Sequence, residues 1–332
     1  MGGDKILKPT IKNIAKAAGV STATVSRALS NKNDILKPST AKKIRQIAQE
    51  MGYHKNVAAS QLASHITNTI AVIINYHQTN FWKDIVNGIL QRAHELNHKV
   101  IIFSAGNNNA NRLTETVNEA LEHQATGILL ISGKIESVQL KILNKARMPY
   151  RLISIYDQQH PEQHFISSDN VAIGEKATNY LIAHGHQKIG IVGIDHSSTG
   201  QQRLFGYQQA MTDAQLTINP HWIYYGDYSY QNGQDLFEKL KGHGLTAVIA
   251  GSDMTAVGLI KAATKHHLHL PDQLSIICID GSIICEITNP TLTSVTQDFY
   301  QMGVKSVDNL LNNEPSTFIP TSINERSSVK NI

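Results

Sequence analysis

From residue 70 onward, short runs of aliphatic and β-branched residues alternate with longer stretches whose apolar positions recur every three or four residues. The runs at 70–74, 100–103, 127–131, 152–155, 189–194, 247–250 and 276–279 predict buried strands. Between them, 81–96, 113–124, 137–146, 171–184, 234–240 and 255–265 predict amphipathic helices; in the first of these Ile85, Ile89, Ala93 and Leu96 share one stripe. Repeated units of this kind predict an α/β body of parallel, doubly wound sheets with helices on both faces. Its length, about 260 residues, is generous for one sheet, so two similar lobes facing a cleft are expected. Ligands in such folds sit beyond the carboxyl ends of the strands.

Ahead of this body the pattern changes. Residues 10–29, TIKNIAKAAGVSTATVSRAL, read as two short helices across a tight turn. Thr10 suits an N-cap; Ile14, Ala15 and Ala18 make an inner stripe; Gly19 suits a left-handed terminating residue, and Val20 packs back. Ser21 caps the second helix, with Val25 and Leu29 inward and Thr22, Ala23, Ser26 and Arg27 outward. This is the spacing of a helix-turn-helix, whose second helix enters the major groove, and an ordinary helical hairpin shares it. A third helix follows, with Pro38 in its first turn, Ala41, Ile44, Ile47, Ala48 and Met51 on its apolar face, and Gly52 at its end. Residues 53–64 are too few for a helix stable by itself and need a partner or DNA to order.

Charge favours the DNA-reading alternative. Residues 1–64 hold eleven Lys or Arg against three acids, +8 in a chain whose total is +4, so the rest sums to −4. A basic head on a mildly acidic body is the footprint of a protein whose head alone meets phosphates. The chain has 332 residues, 41% hydrophobic and 17% charged, the make-up of a globular protein with a full core. No run of about eighteen apolar residues predicts a membrane span. The N-terminus lacks the apolar segment of a secretory signal, and Ile6 spoils a myristoylation motif, so a cytoplasmic location is expected. Cys278 and Cys285 read as reduced thiols in or near a core strand. His184, His186, His266, His267 and His269 lack partners at ligand spacing and read as solvated loop residues. With no phosphate-binding loop and no nucleophile elbow, neither a metal, a cofactor nor an enzymatic activity is expected.

Further motifs accumulate in one order along the chain. In the head they are Thr10-Ile11-Lys12-Asn13-Ile14-Ala15, Ala18-Gly19-Val20-Ser21, Thr24-Val25-Ser26-Arg27-Ala28-Leu29 and Gly52-Tyr53. In the body they are Ser168-Asp169-Asn170, Gly185-His186-Gln187-Lys188-Ile189, Arg203-Leu204-Phe205-Gly206-Tyr207, Ser252-Asp253-Met254-Thr255-Ala256, Leu270-Pro271-Asp272-Gln273-Leu274-Ser275-Ile276 and Pro290-Thr291-Leu292-Thr293-Ser294-Val295. Through these the chain resembles the LacI/GalR family of bacterial transcription regulators, essentially from end to end. The resemblance implies a helix-turn-helix head at 1–55, a hinge helix and linker at 56–68, and a periplasmic-binding-protein-like effector and dimerisation body at 69–332. The N-lobe would comprise about 69–160 plus 290–318, and the C-lobe about 161–289 plus the C-terminal tail. It implies a homodimer or tetramer in the bacterial cytoplasm, associated with the nucleoid, on a pseudo-palindromic operator. The function implied is repression of a carbohydrate-utilisation operon under a sugar or sugar phosphate bound between the lobes. The alternative within the family is a corepressor- or phosphocarrier-protein-dependent regulator that answers a nucleobase or another metabolite.

The resemblance also assigns residues. Thr22, Ala23 and Arg27 would read bases, an arginine being able to grip guanine and a small alanine to sit against a thymine methyl. Thr10, Ser21, Thr24, Ser26 and Asn31 would hold phosphates, capping being a second role for the hydroxyls. Tyr53, Asn56, Ala59 and Leu62 complete the DNA-binding set, Leu62 as the hinge leucine that wedges a minor-groove step. Ser60 stands where many relatives carry Arg, and 33–38 is one residue longer than usual. In the cleft, Asp280 and Arg203 match effector-binding positions, Asp157 and Ser252 are further liners, and Phe81, Trp82 and Phe299 would stack on a sugar ring. Asp253 is expected to cap a helix, and Asp280 or Arg203 to be able to join an interlobe ion pair. The first cleft loop, 75–80, departs from the Pro-Asp of many relatives, so the effector cannot be copied across.

Overall fold

A computed structural model gives the structure of residues 9–29, 36–53, 68–75, 81–106, 110–132 and 134–332. Asn31, residues 33–35 of the longer turn before Pro38, the hinge residues Asn56, Ala59, Ser60 and Leu62, and most of the 75–80 loop lie outside the described residues. The chain forms two units, Met1–Thr67 and Asn68–Ile332.

In the first unit, α1 (Ile11–Ala18), α2 (Thr22–Leu29) and α3 (Pro38–Glu50) close around Ile14, Ala15, Val25, Ala28, Ala41, Ile44 and Ala48. Thr10 and Asn13 cap each other, Asn13 N–H donating to Thr10 Oγ1 at 3.4 Å and Thr10 N–H to Asn13 Oδ1 at 2.9 Å. Gly19 ends α1 at φ 70°, a conformation open to it because it has no Cβ. The Arg45 guanidinium donates to the Ala28 carbonyl at 3.0 Å, tying α3 to the end of α2. Two expected inner positions differ. Ala28 takes the fully buried place and Leu29 is half-buried, while Met51, one residue past α3, is 37% exposed.

The second unit holds two sheets of the same winding. Its elements are β1 (Thr69–Asn75), α4 (Trp82–Glu95), β2 (Lys99–Gly106), α5 (Ala110–Glu122), β3 (Gly127–Ile131), α6 (Ser137–Ala146), β4 (Tyr150–Ile153), β5 (Phe165–Ser167), α7 (Asn170–Ala183), β6 (Ile189–Ile194), α8 (Ser198–Asp213), β7 (Ile223–Tyr225), α9 (Tyr230–Leu240), β8 (Ala247–Ala250), α10 (Asp253–Lys265), β9 (Ser275–Asp280), α11 (Ile284–Ile287), β10 (Thr293–Gln297), α12 (Phe299–Asn312), β11 (Thr317–Phe318) and β12 (Thr321–Asn324). The first sheet runs β2-β1-β3-β4-β5-β11, all parallel; the second runs β7-β6-β8-β9-β10-β12, parallel except that β12 opposes β10. Every residue of β1, β3, β6, β8 and β9 is buried, as expected of parallel strands covered on both faces.

The chain passes between lobes three times, after Ser167, between Gln297 and Phe299, and between Phe318 and Thr321. The first two passages fall later than the expected lobe limits at 160 and 290. Phe165–Ser167 pairs with β4 to extend the first sheet, and Thr293–Gln297 pairs with β9 to extend the second.

Pairs of glycines bring covering helices into close contact. A Cβ on Gly206 of α8 would strike the Val171 carbonyl of α7, and one on Gly174 of α7 would strike the Arg203 carbonyl of α8. The same reciprocal contact joins α4 to α12 through Gly88 and Gly303, and α9 to α10 through Gly233 and Gly258.

Candidate functional site

The carboxyl ends of the strands in both lobes frame a cavity of about 850 Å³. Several of these ends carry residues with left-handed backbones: Ser132 after β3 (φ 55°), Ser154 after β4 (φ 66°) and Asp280 closing β9 (φ 100°), and all three line the cavity. Non-glycine residues held there are strained, and such strain clusters where the fold aims groups at a ligand. At Gly281 the chain needs φ 73°, and any Cβ would collide with the Thr296 side chain.

On the second-lobe wall Arg203, in the middle of α8, is 6% exposed. Its Nε donates to Asn170 Oδ1 at 3.0 Å and its Nη1 to the Gly251 carbonyl at 2.9 Å. Its Nη2 lies 4.0 Å from Asp280 Oδ1, and the guanidinium carbon is 5.8 Å from the centre of the Tyr228 ring. Asp280 Oδ1 also accepts from Gln297 Nε2 at 2.8 Å. Burial pushes the Asp280 carboxyl up to about 7; Arg203 opposes the rise and the nearby Asp253 adds to it. The ion pair joins two elements of one lobe and does not bridge the lobes.

Beside it the Tyr228 hydroxyl donates to Asp195 Oδ1 at 2.8 Å, and the same oxygen accepts from Ser197 N–H at 3.2 Å. On the first-lobe side Phe81 and Phe299 stack with ring centroids 4.9 Å apart, giving a flat apolar wall. Asp157 lines the cavity, and its Oδ1 accepts from the Gln159 amide at 2.9 Å in a turn.

Two expected liners stand elsewhere. Ser252 is 1% exposed; its Oγ donates to the Tyr228 carbonyl at 2.7 Å and accepts from Thr255 N–H at 3.0 Å, so it caps α10. Asp253, expected as that cap, is the first residue of the helix and accepts from Ser282 N–H at 3.2 Å. Trp82 packs half-buried against the first-lobe core, away from the cavity wall. Gln202, Tyr228, Asp195 and Gln297 were not anticipated, although Gln202 is the neighbour of Arg203 and Gln297 follows the Thr293–Val295 motif. Their positions at strand ends and beside a known liner are the signal that could have found them.

In the first unit the outer face of α2 presents Thr22, Ala23, Ser26 and Arg27, all exposed, beside exposed Ser21 and half-buried Thr24. Ser21 Oγ accepts from Thr24 N–H at 3.1 Å, so it caps α2 while remaining at the surface. Tyr53 packs half-buried against the helical core, its N–H donating to the Ala48 carbonyl at 2.8 Å.

The remaining thiols and imidazoles have structural settings. Cys278 and Cys285 are buried free thiols with sulfurs 3.5 Å apart. His186, expected to be solvated, is 1% exposed, with Nδ1 3.0 Å from Thr246 Oγ1 and Nε2 3.1 Å from the Lys330 carbonyl. His266 stacks on Phe237 at 5.4 Å and meets Glu238. Among the described residues no three His, Cys, Asp or Glu side chains cluster to hold a metal, and no helix is long and apolar enough to cross a membrane.

Comparison with known proteins places these features. The model of bacterial regulatory proteins of the lacI family matches residues 10–56, and that of the periplasmic binding protein-like domain matches 178–329. Catabolite control protein A of Priestia megaterium is 32% identical over 300 residues, 89% of this chain and 89% of that protein. The structure of the Lac repressor dimer bound to operator and an anti-inducer superposes with a TM-score of 0.89 over 98% of this chain and all of that one, at 24% identity. A LacI-family regulator CcpA from Weissella paramesenteroides with bound glucose has a TM-score of 0.73 and 26% identity over 80% of this chain and 99% of its own.

Proposed function

The chain belongs to the lacI family of bacterial regulatory proteins, and on that premise we propose that it represses a carbohydrate-utilisation operon as a cytoplasmic homodimer, a saccharide between the lobes setting its grip on the operator. It is a DNA-binding transcriptional regulator; the operon, the effector and the sign of the response are the proposed part. One observation carries the saccharide reading: the cavity faces an aromatic wall, Phe81 and Phe299, with a polar one, Arg203, Asp280, Gln202 and Tyr228. Sugar rings present apolar C–H faces and a rim of hydroxyls, and that pairing of walls matches both. The glucose bound to the Weissella protein supports the same reading.

In this account Arg203, Asp280, Asp157, Phe81 and Phe299 contact the effector, and Ser252 and Trp82 support the walls from behind. Thr22, Ala23 and Arg27 read base edges, while Thr10, Ser21, Thr24 and Ser26, with Asn31, hold phosphates. Tyr53 steadies the head, and Asn56, Ala59 and Leu62 form the hinge. In this reading the cleft binds and releases its ligand unchanged, as a regulator does. Effector binding changes how the two lobes close, and a coupling of about 1–3 kcal/mol shifts operator affinity some five- to 150-fold.

The test is a thermal-shift screen of sugars, followed by anisotropy titration of operator duplex with each compound that raises the melting temperature. A sugar that both stabilises the protein and weakens its hold on the duplex is the expected result. Absence of any stabilising sugar, or stabilisation that leaves operator affinity unchanged, would overturn the proposal.

A further inference from the structure

The charge of the cleft narrows the compounds it accepts, an inference that rests on the saccharide reading above. Among the described residues the cavity wall carries the carboxylates of Glu136, Asp157, Asp195, Asp227 and Asp280 against the cations Lys134 and Arg203. Asp280 alone of these acids has an ion-pair partner, Arg203 at 4.0 Å. Arginine recognises phosphate when its fork is open. Here Nε and Nη1 already donate inward, to Asn170 and to the Gly251 carbonyl, which leaves Nη2 beside Asp280; Lys134, like Glu136 and Asp227, lies at the exposed rim.

The feature that would welcome an anion is the N-terminus of α8, which opens onto the cavity at Ser198 and Thr199. An acid already stands beside it. Asp195 accepts from the Ser197 amide at 3.2 Å, and Ser197 Oγ accepts from Gly200 N–H at 3.4 Å. A phosphate approaching this end would meet the charge of the protein's own carboxylate.

The buried acceptors, by contrast, lack donors. Gln202 is 8% exposed; its Nε2 reaches the Tyr156 carbonyl at 3.5 Å, which orients the amide and leaves Oε1 with no partner. Asp280 is 6% exposed; Oδ1 is engaged by Gln297, and Oδ2 has no hydrogen-bond partner among the described residues. The Gln202 oxygen, fully buried and unpartnered, is destabilising until a hydroxyl supplies the missing proton.

We propose that the effector is a saccharide bearing neither phosphate nor carboxylate, held by hydroxyls donated to Asp280 Oδ2 and Gln202 Oε1, and that the acidic wall excludes phosphorylated sugars. A hydroxyl brings the donors these atoms lack, whereas a phosphate dianion brings only acceptors and meets uncompensated like charges.

Calorimetric titration of the full-length protein with matched pairs tests this: glucose and glucose 6-phosphate, ribose and ribose 5-phosphate, sucrose and sucrose 6-phosphate, cellobiose and its 6′-phosphate, each at 50 and 500 mM KCl. In the pair that binds, the free sugar should be at least tenfold tighter at low salt, and the gap should narrow at high salt because the repulsion is screened. A phosphorylated member that binds as tightly as its free partner, or more tightly, overturns the proposal. A preference that salt leaves unchanged overturns its electrostatic basis. Silence from every pair, with operator binding intact, overturns the saccharide reading beneath it.

Discussion

Asp280→Asn isolates the electrostatics of the cleft. The carboxyl has an ordinary value of 3.8 and stands at about 7 in the folded protein, because burial outweighs the attraction of Arg203. The native state therefore keeps a proton that the unfolded chain sheds above pH 4. The stability this contributes is whole below pH 4 and is lost as pH rises toward 7, at about 1.4 kcal/mol for each tenfold fall in proton concentration, or on the order of 4 kcal/mol in all. Asparagine keeps the size of the side chain and an oxygen for Gln297 Nε2, which donates to this position at 2.8 Å, and it never ionises. The variant should match the wild type at pH 4 and exceed it by about 4 kcal/mol at pH 8. Urea denaturation followed by circular dichroism, at fixed ionic strength and at several pH values, measures the difference. A difference independent of pH, or a wild type more stable than the variant at pH 8, would show that Arg203 holds the carboxylate charged and would refute the reasoning.

Effector affinity should follow the same ionisation with the opposite benefit. The ionised carboxylate accepts a hydroxyl best, so wild-type affinity should rise about tenfold from pH 6 to pH 8, and a flat calorimetric profile would contradict it. Gly206→Ala forces a methyl against the Val171 carbonyl and should destabilise the body by about 1–3 kcal/mol in urea titration; an unchanged midpoint would mean that α7 and α8 yield freely. Arg27→Ala should weaken operator binding by about 1–3 kcal/mol and relax preference at one base pair, read by anisotropy on a set of single-base operator variants. Equal loss on every duplex would reassign Arg27 to the phosphates.

The strands whose bounds the sequence marks most closely are those whose burial is uniform. β3, β6 and β8 fall where their apolar runs do, because both faces of a central parallel strand are covered and nothing interrupts the run. The shortest strands and the crossing strand leave no such trace. β5 and β7 have three residues each, and β10, Thr293–Gln297, is polar because its Ser and Thr side chains bond within the lobe and its Gln297 serves the cleft. Helix α8 shows in the sequence only as the motif around Arg203, because its buried face includes Gly200, Gln202, Arg203 and Gly206, which hydropathy counts as surface. The structure gives that motif its physical content: Arg203 serves the cleft wall, Gly206 the crossing with α7, and the buried Tyr207 hydroxyl donates to the Ile189 carbonyl at 2.8 Å. Ser252 and Asp253 exchange roles for a local reason. The N-cap must be extended, and Ser252 is, at φ −151° and ψ 166°, while Asp253 already has the helix behind it. His186 shows the limit of reading by residue type, since a histidine beside a glycine looks solvated until Thr246 and the segment to Lys330 close on it.

The third passage between lobes has a consequence for synthesis. β11 and β12 are separated by two residues yet supply the outer strands of different sheets, and Arg326, Ser328 and Lys330 then lace the second lobe through Thr293, Ile276 and Ser275. Neither half of the body has its full complement of strands until residues 317–330 have left the ribosome. The three-helix head has a hydrophobic centre of its own and is translated first. A product released before residue 317 therefore carries the three helices and hydrophobic centre of the head, while each sheet behind it lacks an outer strand.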